Sequence, residues 1–556
     1  MLEKRGGEAG MQIDRATMPD NGVIYEGDYY RGIPYGQYIR QQGLPDKRTS
    51  RVFDIRDFGA VADGMTVNTE AVQKAADAAK SAGGGVVLVD GGWYISGTVK
   101  IYDNTTLWIT GDSALVASKD HDNFVDAFVI LDNAENVRVT GGGRIYGSGE
   151  YFVYLPLKKP LLTTLEKIKQ PPFLYDPMGY PVDTMRYAIR SRIRYAEDKY
   201  GNGQPKIKRP MYMLWANGCK NVIIENVILE DSMDWNLCID GCDNVKVSNV
   251  VINGNRHVAN TDGIDVMGSE DVEVTHCFIS TADDGLCVKA PRVHDHDGLN
   301  VASEGKMRGT KNVRFSDCTV LSVANAFKIG TETYYDIENV TCENCHFFLD
   351  IYPGTCSGIA IESADGSNVK NVTVRNITMD NVACPLFICL CKRNKFGYVD
   401  AEDEKKRFLG GSIEGVTIEN IKAVNAEVPS IVTGYRMTRK QMEALLTKEG
   451  VSEMAASRIV AGECEFNEND SSDNIIGKNL GEIMISDFEV AYRDDKEEIN
   501  LLPEIHENVT DYPENSAMGD VPAYGLFIRH APKCTYSNVH VVPRSMNTRE
   551  CIVEEL

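Results

Sequence analysis

Asn221-Val-Ile-Ile-Glu-Asn-Val-Ile-Leu-Glu230 is one copy of a phrase that recurs along most of the chain. A turn residue is followed by Val, then by alternating apolar positions, then by a second short run that opens on Val or Ile. The phrase returns at Asn136-Val137, Asn244-Val245, Asp271-Val272, Asn312-Val313, Asn339-Val340, Asn371-Val372 and Gly415-Val416. The interval is 23 residues from Asn221 to Asn244, and 27 both from Asn244 to Asp271 and from Asn312 to Asn339. Such spacings are typical of solenoids, and the longer intervals carry insertions. Period-2 strands, Gly-rich corners and turn Asn at this repeat length predict an all-β chain folded as a parallel β-helix, with circuits stacked about 4.8 Å apart. A leucine-rich repeat would show its Leu spacing. A β-sandwich, the competing reading, would place turns every 8 to 12 residues or so without this phrase.

Working outward, residues 1–50 read as an N-terminal extension and 51–556 as a single β-helix domain, with insertions at about 151–210, 291–310 and 438–475. Thr69 to Lys80 is a predicted helix, with Asn68 or Thr69 as its cap and Gly83-Gly-Gly85 ending it. It is expected to cover the open end of the solenoid, where strand edges and core would otherwise meet water. In the first insertion Arg186, Arg190 and Arg194 recur every four residues and would share a helical face. Thr438 to Gly462 reads as two short helices broken near Gly450.

The 556 residues are 43% hydrophobic and 25% charged, an ordinary globular composition that excludes collagen-like and wholly disordered chains. A net charge of −23 repels phosphate backbones and anionic headgroups, so neither nucleic acid nor membrane is an expected partner. Met1 to Asp20 is polar, without the apolar core of a signal peptide, and apolar runs fall far short of about 18 residues. The 15 cysteines are scattered rather than framed, which suits reduced core thiols and a cytoplasmic location. Cys342 and Cys345 form a C-x-x-C, but no second such pair or paired His follows at zinc spacing, so no metal or cofactor is expected. Homo-oligomerisation is left open.

Chemistry concentrates in Asn260-Thr-Asp-Gly-Ile-Asp265 and Thr281-Ala-Asp-Asp-Gly-Leu-Cys-Val-Lys289. Asp262 and Asp284 are 22 residues apart, which places them on neighbouring circuits. Clustered carboxylates repel one another unless a proton is shared or a ligand compensates, so the cost points to function. Hydrolysis of a glycosidic bond needs a carboxylic acid to protonate the leaving oxygen and a carboxylate acting from the other face; inverting enzymes hold these about 6.5–9.5 Å apart.

At these residues the chain resembles glycoside hydrolase family 28, the polygalacturonase-like enzymes of the right-handed parallel β-helix class. The likeness runs from Phe53-Asp-Ile-Arg-Asp-Phe-Gly-Ala-Val-Ala-Asp-Gly64 through Arg209-Pro210, Cys219-Lys-Asn-Val222 and Ser232-Met-Asp-Trp235 to the two aspartate motifs. It covers most of residues 50–380, and Tyr524-Gly-Leu-Phe-Ile-Arg-His530 resembles the tail of bacterial members. The resemblance implies Asp283 as general acid, with Asp262 and Asp284 holding the attacking water.

Two departures stand out. Ala324-Asn-Ala-Phe-Lys-Ile-Gly-Thr331 puts Asn325 where the family usually has a histidine. Gly358-Ile-Ala-Ile-Glu-Ser363 puts Ala360 and Glu362 where polygalacturonases carry the basic residues that grip a uronate, and a carboxylate placed against Glu362 would be repelled. Alternation turns Ile359, Ile361, Phe327 and Ile329 inward, leaving Lys328 and Glu362 outward beside Asp265 and Lys289. Trp235 either stacks on a sugar or fills a corner.

The expected function is thus an O-glycosidase acting on an oligosaccharide, inverting and end-acting, on a sugar other than plain galacturonate. Two rivals are a lyase using Lys289 or Lys328 as base with carboxylate-bound calcium, and a non-catalytic glycan-binding solenoid.

Overall fold

The computed structural model describes residues 38–40, 42–149, 174–175, 181–182, 210–254, 260–292, 294–296, 299–301, 308–348, 356–393, 411–448, 454, 475–493, 504–507, 509–510, 512–543 and 549–555. Most of them lie in two large sheets, of nineteen and twelve strands, in which successive circuits of the chain pair in parallel.

The recurring phrase marks a corner of every circuit. Asn136, Asn221, Asn244, Asp271, Asn312, Asn339, Asn371 and Gly415 all have φ between 55° and 68°. Asn and Asp tolerate this left-handed region because a short polar side chain can bond locally, and Gly415 enters it with no Cβ at all. The amides then bond from circuit to circuit. Asn136 donates to Asn104 at 3.0 Å, Asn221 to Asn136 at 3.0 Å, Asn244 to Asn221 at 2.7 Å, Asn312 to Asp271 at 2.9 Å, Asn339 to Asn312 at 2.9 Å and Asn371 to Asn339 at 3.1 Å.

The Val that follows each corner points the other way. Val137, Val222, Val245, Val272, Val313, Val340, Val372 and Val416 are paired in register, each over the last, and all are buried. Burying each such side chain contributes about 1.5–3 kcal/mol, and β-branched residues suit a pleated surface. This column runs through the main core, which also takes in Leu237, Val266, Val288, Phe327, Ile329, Ile359 and Ile361 from the twelve-stranded sheet.

Helix α1 (Thr69–Ser81) packs Ala71, Val72, Ala75, Ala76 and Ala79 against the first strands, Val52–Asp54, Gly85–Val89 and Val99–Ile101. It thus covers the first circuit, as expected. Asn68 stands at its N-cap position without making a capping bond. Its side chain instead ties the preceding loop, bonding Val61 N at 2.7 Å and the carbonyls of Val61 and Thr66.

Of the insertions, Arg186, Arg190 and Arg194 lie outside the described residues. The second holds a short antiparallel pair, His294–His296 with Leu299–Val301. The third opens with helix α2 (Arg439–Lys448), and of the second helix expected past Gly450 only Met454, which is helical, is among the described residues. No described helix is long and apolar enough to cross a membrane.

Candidate active site

Five consecutive strands of the twelve-stranded sheet carry the site: β1 (Trp235–Asp240), β2 (Ile264–Met267), β3 (Leu286–Ala290), β4 (Phe327–Thr333) and β5 (Ser357–Ser363). Their register places Cys238, Asp265, Cys287, Lys328 and Ala360 in one row on the face away from the core. The turns leading into these strands also stack. Asn236 N donates to Asp262 O, Gly263 N to Asp284 O, Gly285 N to Asn325 O and Ala326 N to Ser357 O. A Cβ on Gly263 would lie 2.3 Å from the carbonyl oxygen of Gly285, so the close stacking of the aspartate turns requires glycine there.

This stacking brings Asp262, Asp283 and Asp284 together. Taking one carboxylate oxygen from each, the three lie within 4.8 Å of one another. The cause of this approach is local: Asp283 and Asp284 leave one turn, and Asp262 sits on the adjacent circuit. Asp262 and Asp284 are buried, while Asp283 is partly exposed.

Lys289 lies beneath the trio, 3.0 Å from Asp262 and 2.8 Å from Asp265. Burial pushes the Asp262 carboxyl up, the Lys289 ammonium opposes this, and the Asp284 charge adds to it; the result is about 6. Burial, followed by repulsion from Asp262 and Asp284, drives Asp283 well above the carboxylate range. Burial also raises Asp265, with Lys289 opposing. For Lys289 burial acts downward, but Asp262 and Asp265 outweigh it and hold the ammonium well above its ordinary value.

Asn325 is buried and held at both ends. Its Nδ2 donates to Asp284 Oδ1 at 2.8 Å, and its Oδ1 accepts from Ser357 N at 3.0 Å. Trp235 is only 9% exposed. Its ring lies 3.8 Å from Lys289 Nζ and 5.6 Å from the Tyr212 ring. With its surroundings so occupied, it takes the corner-filling arrangement rather than that of an open sugar platform.

Lys328 and Glu362 point away from the core, as alternation requires, yet both are buried. Lys328 Nζ lies 3.6 Å from Asp284, 3.6 Å from Glu362 and 3.4 Å from Glu514. What covers them is a loop near the end of the chain that the sequence reading missed. It is closed at its neck by antiparallel pairing of Glu504–Ile505 with Gly519–Asp520. Its tip places Tyr512 against Thr331, whose hydroxyl donates to the phenol at 2.7 Å, and Asn515 against the Cys356 carbonyl at 2.6 Å. No short motif marks Tyr512 or Glu514. The only signal near them is the tail motif, whose Arg529 donates to His506 O at 2.9 Å and so secures the neck.

Three carboxylates this close form a donor set that could hold a hard divalent cation, although Lys289 already supplies positive charge at the same place. The described cysteines, including Cys342 and Cys345, are free.

Comparisons with known proteins agree with this architecture. A family model described as glycosyl hydrolases family 28 matches residues 194–440, and one described as rhamnogalacturonase A/epimerase, pectate lyase-like, matches residues 52–159. An endo-polygalacturonase of Pectobacterium carotovorum subsp. carotovorum is 27% identical over 225 residues, covering 40% of this chain and 50% of the relative. A polygalacturonase of Persea americana is 23% identical over 358 residues, covering 62% and 63%. The chain thus spans between half and two thirds of the length of these curated relatives. Two solved structures share the fold. An exopolygalacturonase from Thermotoga maritima has a TM-score of 0.55 at 17% identity, covering 91% of this chain and 94% of that one. A family 28 exopolygalacturonase of Yersinia enterocolitica has a TM-score of 0.57 at 16% identity, covering 91% and 78%. The stretch that matches glycosyl hydrolases family 28, residues 194–440, contains both aspartate turns.

Proposed function

We propose that the protein is an O-glycosyl hydrolase built on a right-handed parallel β-helix and acting on a pectin-like glycan. The observation that carries this reading is the convergence of Asp262, Asp283 and Asp284 from two stacked turns onto one place. Asp283, partly exposed and kept protonated by burial and by its acidic neighbours, is suited to give its proton to the leaving oxygen. Asp262 and Asp284, held by Lys289 and Asn325, are suited to orient the attacking water. We propose inversion, as the family resemblance implies; proton NMR of the first-formed product reads the outcome directly.

The sugar at the cut is proposed to be something other than plain galacturonate, because Glu362 stands where a uronate grip would need a cation. End-on action fits a site walled on one side by the 504–520 loop. The lyase reading fares worse. Burial acts to lower both Lys289 and Lys328, but their carboxylate neighbours outweigh it and hold both ammonium groups well above their ordinary value, which makes poor general bases.

The test is a screen of aryl glycosides and pectic oligosaccharides with wild type and Asp283→Asn. The variant should lose about 10²–10⁴-fold in kcat. Its melting temperature should be equal or higher, because Asn mimics the protonated acid that the fold already favours. A raised carboxyl contributes stability below its unfolded value and loses it as pH climbs, so the gap between variant and wild type should widen from pH 4 to 8. Unimpaired turnover by Asp283→Asn sinks the assignment.

A further inference from the structure

The loop at residues 504–520 does more than cover Lys328. At its tip Glu514 joins Asp284 and Glu362 around the Lys328 ammonium, so that three carboxylates face one cation at 3.4–3.6 Å. The neighbouring cation Arg393 is engaged elsewhere, 2.7 Å from Asp365 and 3.6 Å from Glu332. Acceptor capacity is left over. Both carboxylate oxygens of Glu362 and Oε2 of Glu514 are buried with no hydrogen bond among the described residues. Leaving such atoms unsatisfied is costly, so this cluster disfavours any further acceptor beside it.

Tyr512, two residues before Glu514, has its hydroxyl tied to Thr331 while 51% of the residue stays exposed. The loop is held in place at several points. Glu507 accepts from Arg436 N at 3.0 Å and lies 3.1 Å from His530 Nε2, Val509 O accepts from Lys392 N at 2.6 Å, and Met518 is buried beside Phe387 and Phe527. An anchored loop can present side chains to a ligand with little ordering cost.

We infer that this loop is a specificity element of the site, in which Tyr512 stacks on a neutral pyranose while Glu514, whose side chain is 18% exposed, accepts hydrogen bonds from its hydroxyls. The inference rests on the glycan-hydrolase reading above and adds the substrate class: a neutral, hydroxyl-bearing sugar in the subsite beside Asp284. A uronate there would set a fourth carboxylate against three. A hydroxyl-rich ring instead brings donors to Glu514, and its apolar face matches the aromatic one.

The experiment is calorimetric titration of the full chain carrying Asp283→Asn, with and without Glu514→Gln or Tyr512→Ala. The probes are galactose-, rhamnose- and xylose-terminated disaccharides, with digalacturonate as the charged comparison. At least one neutral probe should bind tenfold or more tighter than digalacturonate. Glu514→Gln should weaken that probe about tenfold and narrow the preference, since bonds to a charged acceptor are the stronger kind. Tyr512→Ala should weaken the same probe without lowering the melting temperature. Tighter binding of digalacturonate, no binding of any neutral probe at millimolar concentration, or a preference untouched by both variants overturns the inference. Turnover of the same probes by the wild-type chain is read separately. Discrimination in binding without turnover would count against the hydrolase reading and leave the loop's selectivity standing.

Discussion

Asn325 donates from Nδ2 to Oδ1 of Asp284 at 2.8 Å, and its backbone N–H points to the same oxygen at 3.3 Å. Asn325 thus fixes a carboxylate without carrying charge or changing protonation state. Asn325→Ala should lower kcat about tenfold or more with KM less affected, because an acceptor loses its orienting donor. Asn325→Asp, which sets a repelling carboxylate against Asp284, should be worse than Ala. Steady-state kinetics of both variants beside wild type decide it, and equal effects on kcat and KM from both would indicate a merely structural role.

The Asp262 carboxyl, pushed up to about 6, predicts the acid side of the activity profile. If Asp262 must be ionised to orient water, kcat/KM should rise through a limb centred near pH 6, well above an ordinary aspartate. That midpoint belongs to the coupled trio rather than to one residue. A limb centred near pH 4 would contradict the role. The profile is measured from pH 3.5 to 9 at constant ionic strength.

Lys289 balances two buried acids at 3.0 and 2.8 Å. Lys289→Met removes the ammonium and leaves Asp262 and Asp265 uncompensated, which should destabilise the fold by about 3–5 kcal/mol. The loss should be greater at pH 8 than at pH 4, where both acids can take up protons. Urea denaturation at the two pH values measures both size and direction.

Asn244 sits at φ 55° and donates 2.7 Å to Asn221. Asn244→Ala loses the bond and forces an alanine into the left-handed region, costing about 1–2 kcal/mol for the backbone alone. Asn244→Gly loses the bond but relieves the backbone, so it should be the milder change. Denaturation curves that rank Gly below Ala would contradict this account of the corner.

The corner was legible in sequence because its cause is local. Each Asn carries its own tolerance of left-handed backbone, and Val222, Val245 and Val272 repeat the same inward step immediately after it. Asp262, Asp283 and Asp284 were legible for a related reason, since short circuits put near neighbours in sequence next to each other in space. Their close approach was not, because it depends on how tightly the turns at Gly263 and Gly285 stack. Trp235 was ambiguous because its role is set by Lys289 and Tyr212, on other circuits. Glu514 and Tyr512 could not be read at all. They meet Lys328 and Thr331 across 186 and 181 residues, with no periodicity linking the two segments.

Successive rungs of the Asn ladder are separated by 23, 27, 32, 41 or 85 residues of chain, yet the bonds between them stay between 2.7 and 3.1 Å. Extra length therefore leaves the pitch untouched and accumulates in the connecting segments. Selectivity can be rebuilt by lengthening, trimming or exchanging those segments while the acid-bearing floor keeps its spacing. Under the proposed function, a protein built this way separates the choice of sugar from the chemistry performed on it.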